Sequence, residues 1–311
     1  MTSSKIVSSQ ARIDAPVSVL RDLVADAEGW VQLHQTAAHA EYLERGEHED
    51  VVRQWSVADE RTARTRVVRR RFAPDGGEIS FTVEEPAGGP VTGGGWTFDD
   101  SGRGGTTVTM HHDLGLGTEA GNGEAVQRVR QGGEAYLATL KDAAERREEL
   151  AELTVSFEDP VFVSGSVKDV YEYLYEADKW PQRIPHVTRL ELEEPEPDIQ
   201  FFDMDTVSAD GSRHTTRSVR ICLPPHLIVY KQIRTPPLLT VHTGHWKFAE
   251  TPEGVLASAR HTATIDPGRL HVLGEGTTVR DARRYLRRVL SANSVGNLRL
   301  AKEFAEQRAG V

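Results

Sequence analysis

The feature that most constrains this chain is a match to itself. Val167–Glu194, VKDVYEYLYEADKWPQRIPHVTRLELEE, overlays Val17–Glu44, VSVLRDLVADAEGWVQLHQTAAHAEYLE, without a gap at an offset of 150 positions. Val17 meets Val167, Ala27 meets Ala177, Trp30 meets Trp180, and Glu44 meets Glu194. Far downstream the same offset returns: Gly94-x-Trp96-x-Phe98 echoes Gly244-x-Trp246-x-Phe248, and His111 echoes His261. Two of the five tryptophans thus fall on two others at one spacing, which chance rarely supplies. A period of domain length means a duplicated domain, since solenoid repeats run roughly 20–50 residues. The expected organisation is two like domains, residues 1–150 and 151–311, with the break near Glu149–Glu152.

Within the first copy, Lys5–Ile13 alternates loosely and ends at Asp14-Ala15-Pro16, a strand feeding a helix. Pro16 suits the first helical turn, where its missing donor is no loss. Val17, Leu20, Leu23 and Val24 recur at helical spacing to about Ala27, and Trp30 opens a second short helical segment. Glu41–Arg45, Val51–Val57, Arg61–Phe72, Glu78–Val83, Gly95–Phe98 and Thr106–Leu114 are short and rich in Val, Thr, Phe and Trp. Turn-forming clusters at Pro74–Gly77, Pro86–Pro90 and Gly102–Gly105 separate them, which predicts an antiparallel meander. A flexible stretch, Gly115–Gly123, leads into a long helix of about Ala125–Leu150. The second copy repeats the order, from Leu153–Phe162 through Val167–Tyr175 and a meander ending at Ile265. It adds a helical piece, Thr278–Leu290, before a final helix Val295–Gln307.

The expected fold class is therefore α+β, with an antiparallel sheet wrapped around a long C-terminal helix in each copy. This resembles the helix-grip arrangement of START-like and birch-pollen-allergen-like proteins. A sheet that curls around a helix without filling the space between them encloses an apolar cavity, the default ligand site.

Composition narrows the partners. A length of 311 residues is enough for two cores without staples. A net charge of −10 argues against a nucleic-acid partner, which calls for a basic face. The single cysteine, Cys222, permits no intrachain disulfide and suits a reducing compartment. The N-terminal MTSSKIVSSQARID lacks the apolar core of a signal peptide, and no run approaches the roughly 18 apolar residues of a membrane helix. A soluble cytoplasmic protein without a membrane partner is expected.

Two tandem helix-grip domains with Trp180-Pro181-x-x-Ile184-Pro185-His186-Val187 after the first helix resemble the di-domain aromatase/cyclases of bacterial type II polyketide synthases. An arginine at the end of a middle strand and the Trp-x-Phe strand add to the resemblance, which covers essentially the whole chain. It implies a poly-β-ketone substrate carried by an acyl carrier protein, regiospecific aldol closure of the first ring, dehydration to the aromatic state, and no cofactor. The implied partners are that carrier protein and the other synthase components. Duplication supplies within one chain the contacts a homodimer would need, so a monomer is expected. The competing class is a non-catalytic START-like protein carrying an apolar small molecule or lipid. An arginine and a hydroxyl or imidazole converging inside the cavity would favour the enzyme; a wholly apolar lining would favour the carrier.

The resemblance also implies a catalytic arginine in the cavity. Arg71 and Arg220 fit that place at an offset of 149; a rival alignment at 151 pairs Arg66 with Arg217 and Arg69 with Arg220. Alternation puts Arg69 and Arg71 on one strand face and Arg66 and Arg70 on the other. A charged, solvated edge strand is the plainer alternative. Arginine suits the chemistry because its forked donors can hold the negative charge that develops on oxygen without titrating.

His186, behind the rigid Pro185, is a candidate acid or base for dehydration, against a surface or capping role. Thr36 stands at its place in the first copy and His34 two residues earlier, so the copies are not chemically equivalent. Trp30, Trp96, Trp180 and Trp246 fit either a cavity wall or an ordinary core; with His34 and Tyr230 they are the candidate substrate contacts. His111-His112-Asp113 and His242-x-x-His245 point to alternate strand faces, so no metal site is expected. No phosphate loop or dinucleotide fingerprint is present. Arg280, Arg283, Arg284 and Arg287 could meet an acidic carrier protein or form a solvated helix face.

Overall fold

The structure is a computed structural model that describes residues 5–85, 91–102, 104–115, 123–207, 211 and 213–310. The cluster at 86–90 and most of the stretch expected to be flexible before the long helix lie outside the described residues. The chain divides into two compact units, Met1–Ser56 with Arg64–Glu148, and Val57–Ala63 with Glu149–Val311.

In the first unit β1 (Lys5–Ile13) is followed by α1 (Val17–Ala25) and α2 (Ala27–Leu33). Pro16 is the extended residue just outside α1 rather than its first helical residue. Asp26 starts α2, its carboxylate accepting from the Gly29 amide at 2.9 Å. Six strands follow: β2 (Ala37–Arg45), β3 (Glu49–Asp59), β4 (Thr62–Phe72), β5 (Glu78–Glu85), β6 (Val91–Asp100) and β7 (Thr106–Leu114). The chain then forms α3 (Gly123–Glu145) and α4 (Arg147–Leu153).

The strand order is β1-β7-β6-β5-β4-β3-β2. The two short helices carry the chain from one sheet edge to the other, and the meander returns it to pair β7 with β1. Register shifts between β2 and β3, β4 and β5, and β6 and β7 mark bulges that bend the sheet. Leu137, Leu140 and Ala144 of α3 pack with Trp96, Phe98 and Met110 of the concave face in one core.

The second unit repeats this. It runs β8 (Thr154–Val163), α5 (Val167–Tyr175), a short 3-10 turn, α6 (Trp180–Arg183), β9 (Val187–Glu196), β10 (Ile199–Val207), β11 (Arg213–Leu223), β12 (Leu227–Arg234), β13 (Leu239–Thr251) and β14 (Gly254–Ile265). Their order, β8-β14-β13-β12-β11-β10-β9, matches the first sheet strand for strand. Ser166 caps α5, its hydroxyl accepting from the Asp169 amide at 3.1 Å.

The end of the chain departs from expectation. The two helical pieces expected there are one uninterrupted helix, α7 (Val279–Ala309). Thr278 and Asp281 close a capping box at its start. Residues 291–294 contain neither Pro nor Gly, so nothing stops the helix between the two apolar stripes. Leu298, Ala301 and Ala305 bury its second half against Phe248, Ala257 and Ala259.

Candidate active site

Each unit locks one arginine into the wall of its cavity in the same way. On β4, Arg70 donates from Nε and Nη2 to the Asp50 carboxylate at 2.8 and 2.6 Å, from Nη1 to Val24 O at 2.9 Å, and from Nη2 to Ala25 O at 2.8 Å. On β11, Arg220 donates to Leu174 O at 2.8 Å, to Tyr175 O at 2.6 Å, and from Nε to Gln200 Oε1 at 3.1 Å, with Nη2 also on that oxygen. These carbonyls end α1 and α5, where intrahelical donors run out and the helix dipole is negative. Each guanidinium therefore ties a middle strand to the end of the first helix. In both, one Nη1 hydrogen has no acceptor among the described residues.

The acceptors differ between the copies. Burial works against the charge of Arg70, but Asp50 outweighs it and the pKa is raised. Arg220, fully buried, faces the neutral Gln200 instead, and loss of hydration lowers its pKa from the usual guanidinium range. Its guanidinium lies 5.2 Å from the Trp180 ring centre.

The first cavity, about 250 Å³, opens between α3 and the concave sheet face. Its wall is aromatic: Trp30 stacks on Tyr136 at 4.2 Å, Tyr136 lies 5.5 Å from Trp96, and Trp96 lies 5.3 Å from Phe81. Arg66 lines it beside Arg70 and donates from Nε to Gln54 Oε1 at 2.9 Å. Arg66 keeps accessible surface, yet burial lowers its pKa; both hold for a side chain whose free surface faces an internal space. Burial, with Arg66 nearby, brings His112 down to about 4, so this imidazole is neutral at pH 7. Burial raises the Tyr136 phenol, which stays protonated.

The second cavity, about 210 Å³, is lined by Arg220, Trp180, Trp246 and His186 together with a hydrogen-bonded chain of four side chains. Gln232 Oε1 lies 2.9 Å from His242 Nδ1, His242 Nε2 lies 3.1 Å from His261 Nδ1, and that Nδ1 lies 2.7 Å from Tyr230 Oη. Burial lowers the pKa of His242 to about 4, puts His261 well below the usual imidazole value, and lowers His186 too. All three rings are neutral at pH 7. Thr216 Oγ1, Asn297 Oδ1 and the indole nitrogens of Trp180 and Trp246 are buried on the lining and make no hydrogen bond within the described residues. Buried polar atoms are rarely left so.

The structure sorts the expected residues. Trp30, His34 and Trp96 line the first cavity; Arg220, His186, Trp180, Tyr230 and Trp246 line the second. Arg71 and Arg69 do not enter a cavity. Both sit on the outer face of β4, where Arg71 pairs with Glu49 at 2.9 Å and Arg69 with Glu49 and Glu84 at 2.6 and 2.7 Å. Arg217 likewise points off the concave face of β11, paired with Asp203 and, at 3.7 Å, with Glu193. The partner of Arg220 in the first copy is Arg70, so neither the offset of 149 nor that of 151 holds: Val24, Ala25, Asp50 and Arg70 match Leu174, Tyr175, Gln200 and Arg220 at 150 throughout.

The echo of His111 in His261 is corrected as well. Val7 pairs with His112 and Phe157 with His261, so His112 is the structural mate; the β6–β7 turn is one residue longer than its counterpart. On the helix, Arg283 donates to the Thr154 carbonyl at 2.6 Å, Arg287 pairs with Asp159 at 2.7 Å, and Arg284 pairs with Asp281 at 2.6 Å. Sequence reasoning missed Arg70, Arg66, His112 and Tyr136 in the first cavity and Gln232, His242 and His261 in the second. For Arg66 and Arg70 the signal was present, because strand alternation already set them together on one face.

Comparison with known proteins fits this geometry. Two family models, both described as polyketide cyclase / dehydrase and lipid transport, match residues 5–145 and 163–292. The chain belongs to that family and holds two tandem copies of its domain. It is 38% identical over 309 residues to the actinorhodin polyketide synthase bifunctional cyclase/dehydratase of Streptomyces coelicolor, covering 94% of this chain and 95% of that protein. It is 36% identical over 303 residues to the granaticin polyketide synthase bifunctional cyclase/dehydratase of Streptomyces violaceoruber, covering 95% and 92%. Among solved structures, the di-domain aromatase/cyclase StfQ of the steffimycin pathway is 52% identical with a TM-score of 0.90, covering 98% of this chain and 100% of that one. The di-domain aromatase/cyclase BexL of the BE-7585A pathway is 36% identical with a TM-score of 0.86, covering 97% and 99%.

Proposed function

We propose that this chain is an aromatase/cyclase of a type II polyketide synthase, closing the first ring of a carrier-protein-bound poly-β-ketone by intramolecular aldol addition and promoting its dehydration. One observation carries this reading: each unit encloses an aromatic-walled cavity with a guanidinium fixed in its wall. A lining that brings arginine, phenol and imidazole together speaks for catalysis rather than for passive carriage of an apolar ligand.

Aldol closure moves a carbonyl electron pair onto oxygen as the new carbon–carbon bond forms. In the first cavity Arg66, whose one hydrogen bond among the described residues is to Gln54, has most of its donors left over there for that oxygen, and Arg70 adds one N–H and a fixed charge. Removing such a donor typically costs about 10²–10³ in rate. The aromatic walls fold the flexible chain so that one pair of carbons meets, an effect worth up to roughly 7–11 kcal/mol. In the second cavity His186 is the candidate base for the proton lost before water leaves. Closure and dehydration leave the redox state unchanged, so neither step calls for a redox cofactor. The substrate arrives on an acyl carrier protein, and the chain works as a monomer in the cytoplasm beside the other synthase components.

The test adds purified chain to a reconstituted minimal polyketide synthase. Wild type should replace a mixture of spontaneously cyclised products by one aromatic product, and Arg66→Ala should reduce that conversion by about 10²-fold while leaving the fold intact. An unchanged product mixture in the presence of wild type would refute the proposal.

A further inference from the structure

We propose that Tyr230 is the proton donor of the second cavity in the dehydration step, its hydroxyl hydrogen turned toward the cavity by the chain His261–His242–Gln232 behind it. This rests on the cyclase/dehydratase reading above.

The direction of the chain follows from its far end. Gln232 meets His242 Nδ1 through its amide oxygen at 2.9 Å, and an amide oxygen only accepts, so Nδ1 carries the proton. The ring is neutral at pH 7, so its Nε2 holds a lone pair. His261 Nδ1, 3.1 Å from that lone pair, is therefore a donor. The same N–H lies 2.7 Å from Tyr230 Oη, which must accept. The phenolic hydrogen finds no acceptor among the described residues, and the Tyr230 side chain lines the cavity. Burial raises the phenol's pKa, so the donor is loaded at neutral pH.

The surrounding strand is built to leave room for this hydroxyl. A Cβ at Gly244, opposite Tyr230 on β13, would lie 2.3 Å from Tyr230 Oη. The first unit keeps the histidine, as His112, but lacks the rest. Strand registers put Phe81 at the place of Tyr230, Val83 at that of Gln232, and Val91, opposite Leu114, at that of His242, opposite Ala263.

In the step itself, the α-carbon of a cyclised β-hydroxy ketone gives its proton to His186. The released C–H pair becomes the new carbon–carbon double bond. The β-carbon–oxygen bond breaks with its pair on oxygen, which takes the Tyr230 proton and departs as water. Tyr230 is left as a phenolate that accepts from His261 Nδ1–H, directly across from Arg220 on the neighbouring strand. His186 is left as imidazolium, and proton exchange with solvent returns both groups.

The test uses the full chain with a minimal synthase supplying its poly-β-ketone. Tyr230→Phe should slow water loss by about 10²–10⁴-fold, so that a cyclised product heavier by one water accumulates in the mass spectrum. The ring that packs 5.1 Å from Trp246 is preserved in this variant, and circular dichroism checks its fold. Gln232→Leu should accumulate the same hydrated product to a smaller extent, and Gln232→Glu, which also accepts from His242 Nδ1, should restore part of the rate. A folded Tyr230→Phe that forms the dehydrated product at the wild-type rate overturns the assignment and leaves the function standing. Should that variant fail to fold, equal rates for the two Gln232 variants overturn it. A wild type without effect on the products overturns both readings.

Discussion

Arg70 and Arg220 hold the end of a helix as well as facing a cavity, and that double duty decides how their substitution must be read. Arg70→Ala would leave the Asp50 carboxylate buried and unpaired beside two helix-end carbonyls. Breaking a buried ion pair from one side costs about 3–5 kcal/mol. Arg220→Ala strands an amide and two carbonyls but no carboxylate in direct contact, at about 1–3 kcal/mol for each group that water cannot reach. Urea unfolding of the full chain should therefore show Arg70→Ala to be the more destabilising; equal losses would contradict the difference drawn between Asp50 and Gln200. Strand alternation alone separated the cavity-facing Arg66 and Arg70 from the outward Arg69 and Arg71. Which one mates with Arg220 was not decidable from arginine-rich strand sequences, where a shift of one residue still pairs arginine with arginine. The helix-end carbonyls that single out Arg70 are backbone groups, invisible to side-chain patterns.

At the scale of elements, strands and short helices were legible because their apolar residues alternate or recur at helical spacing between clear turn clusters. Two things were not. Turns that differ by one residue between the copies moved the true partner of His261 to His112, since a constant offset cannot register a local length change. The final helix was divided at residues 291–294, where the apolar stripe lapses, yet backbone hydrogen bonding continues through α7. Gly296 sits in that continuous helix with no atom near the position of an added Cβ. Gly296→Ala should accordingly stabilise the chain by roughly 0.5–1 kcal/mol, measured by the urea midpoint. No gain, or a loss, would indicate that the helix is broken there.

For the whole molecule, the internal repeat predicted two like folds, and two seven-stranded sheets of identical order are found among the described residues. What the repeat could not show is how the copies diverge inside. The first cavity carries Arg66 and Tyr136, where the second has Thr216 and Asn297. The second carries Tyr230, Gln232 and His242, where the first has Phe81, Val83 and Val91. These residues lie far apart in sequence and meet only when the sheet curls, so no local motif announces them.

The central claim is that ring formation is directed inside these cavities, and filling them tests it most directly. Val68 on β4 and Ser218 on β11 are buried at the cavity walls. Val68→Trp with Ser218→Trp should occupy both spaces at about 1–3 kcal/mol of overpacking each, which a folded variant must be shown to survive by circular dichroism. In the reconstituted synthase the doubly filled chain should give the product mixture seen without any added protein. A folded, doubly filled variant that still yields the single aromatic product would contradict the account.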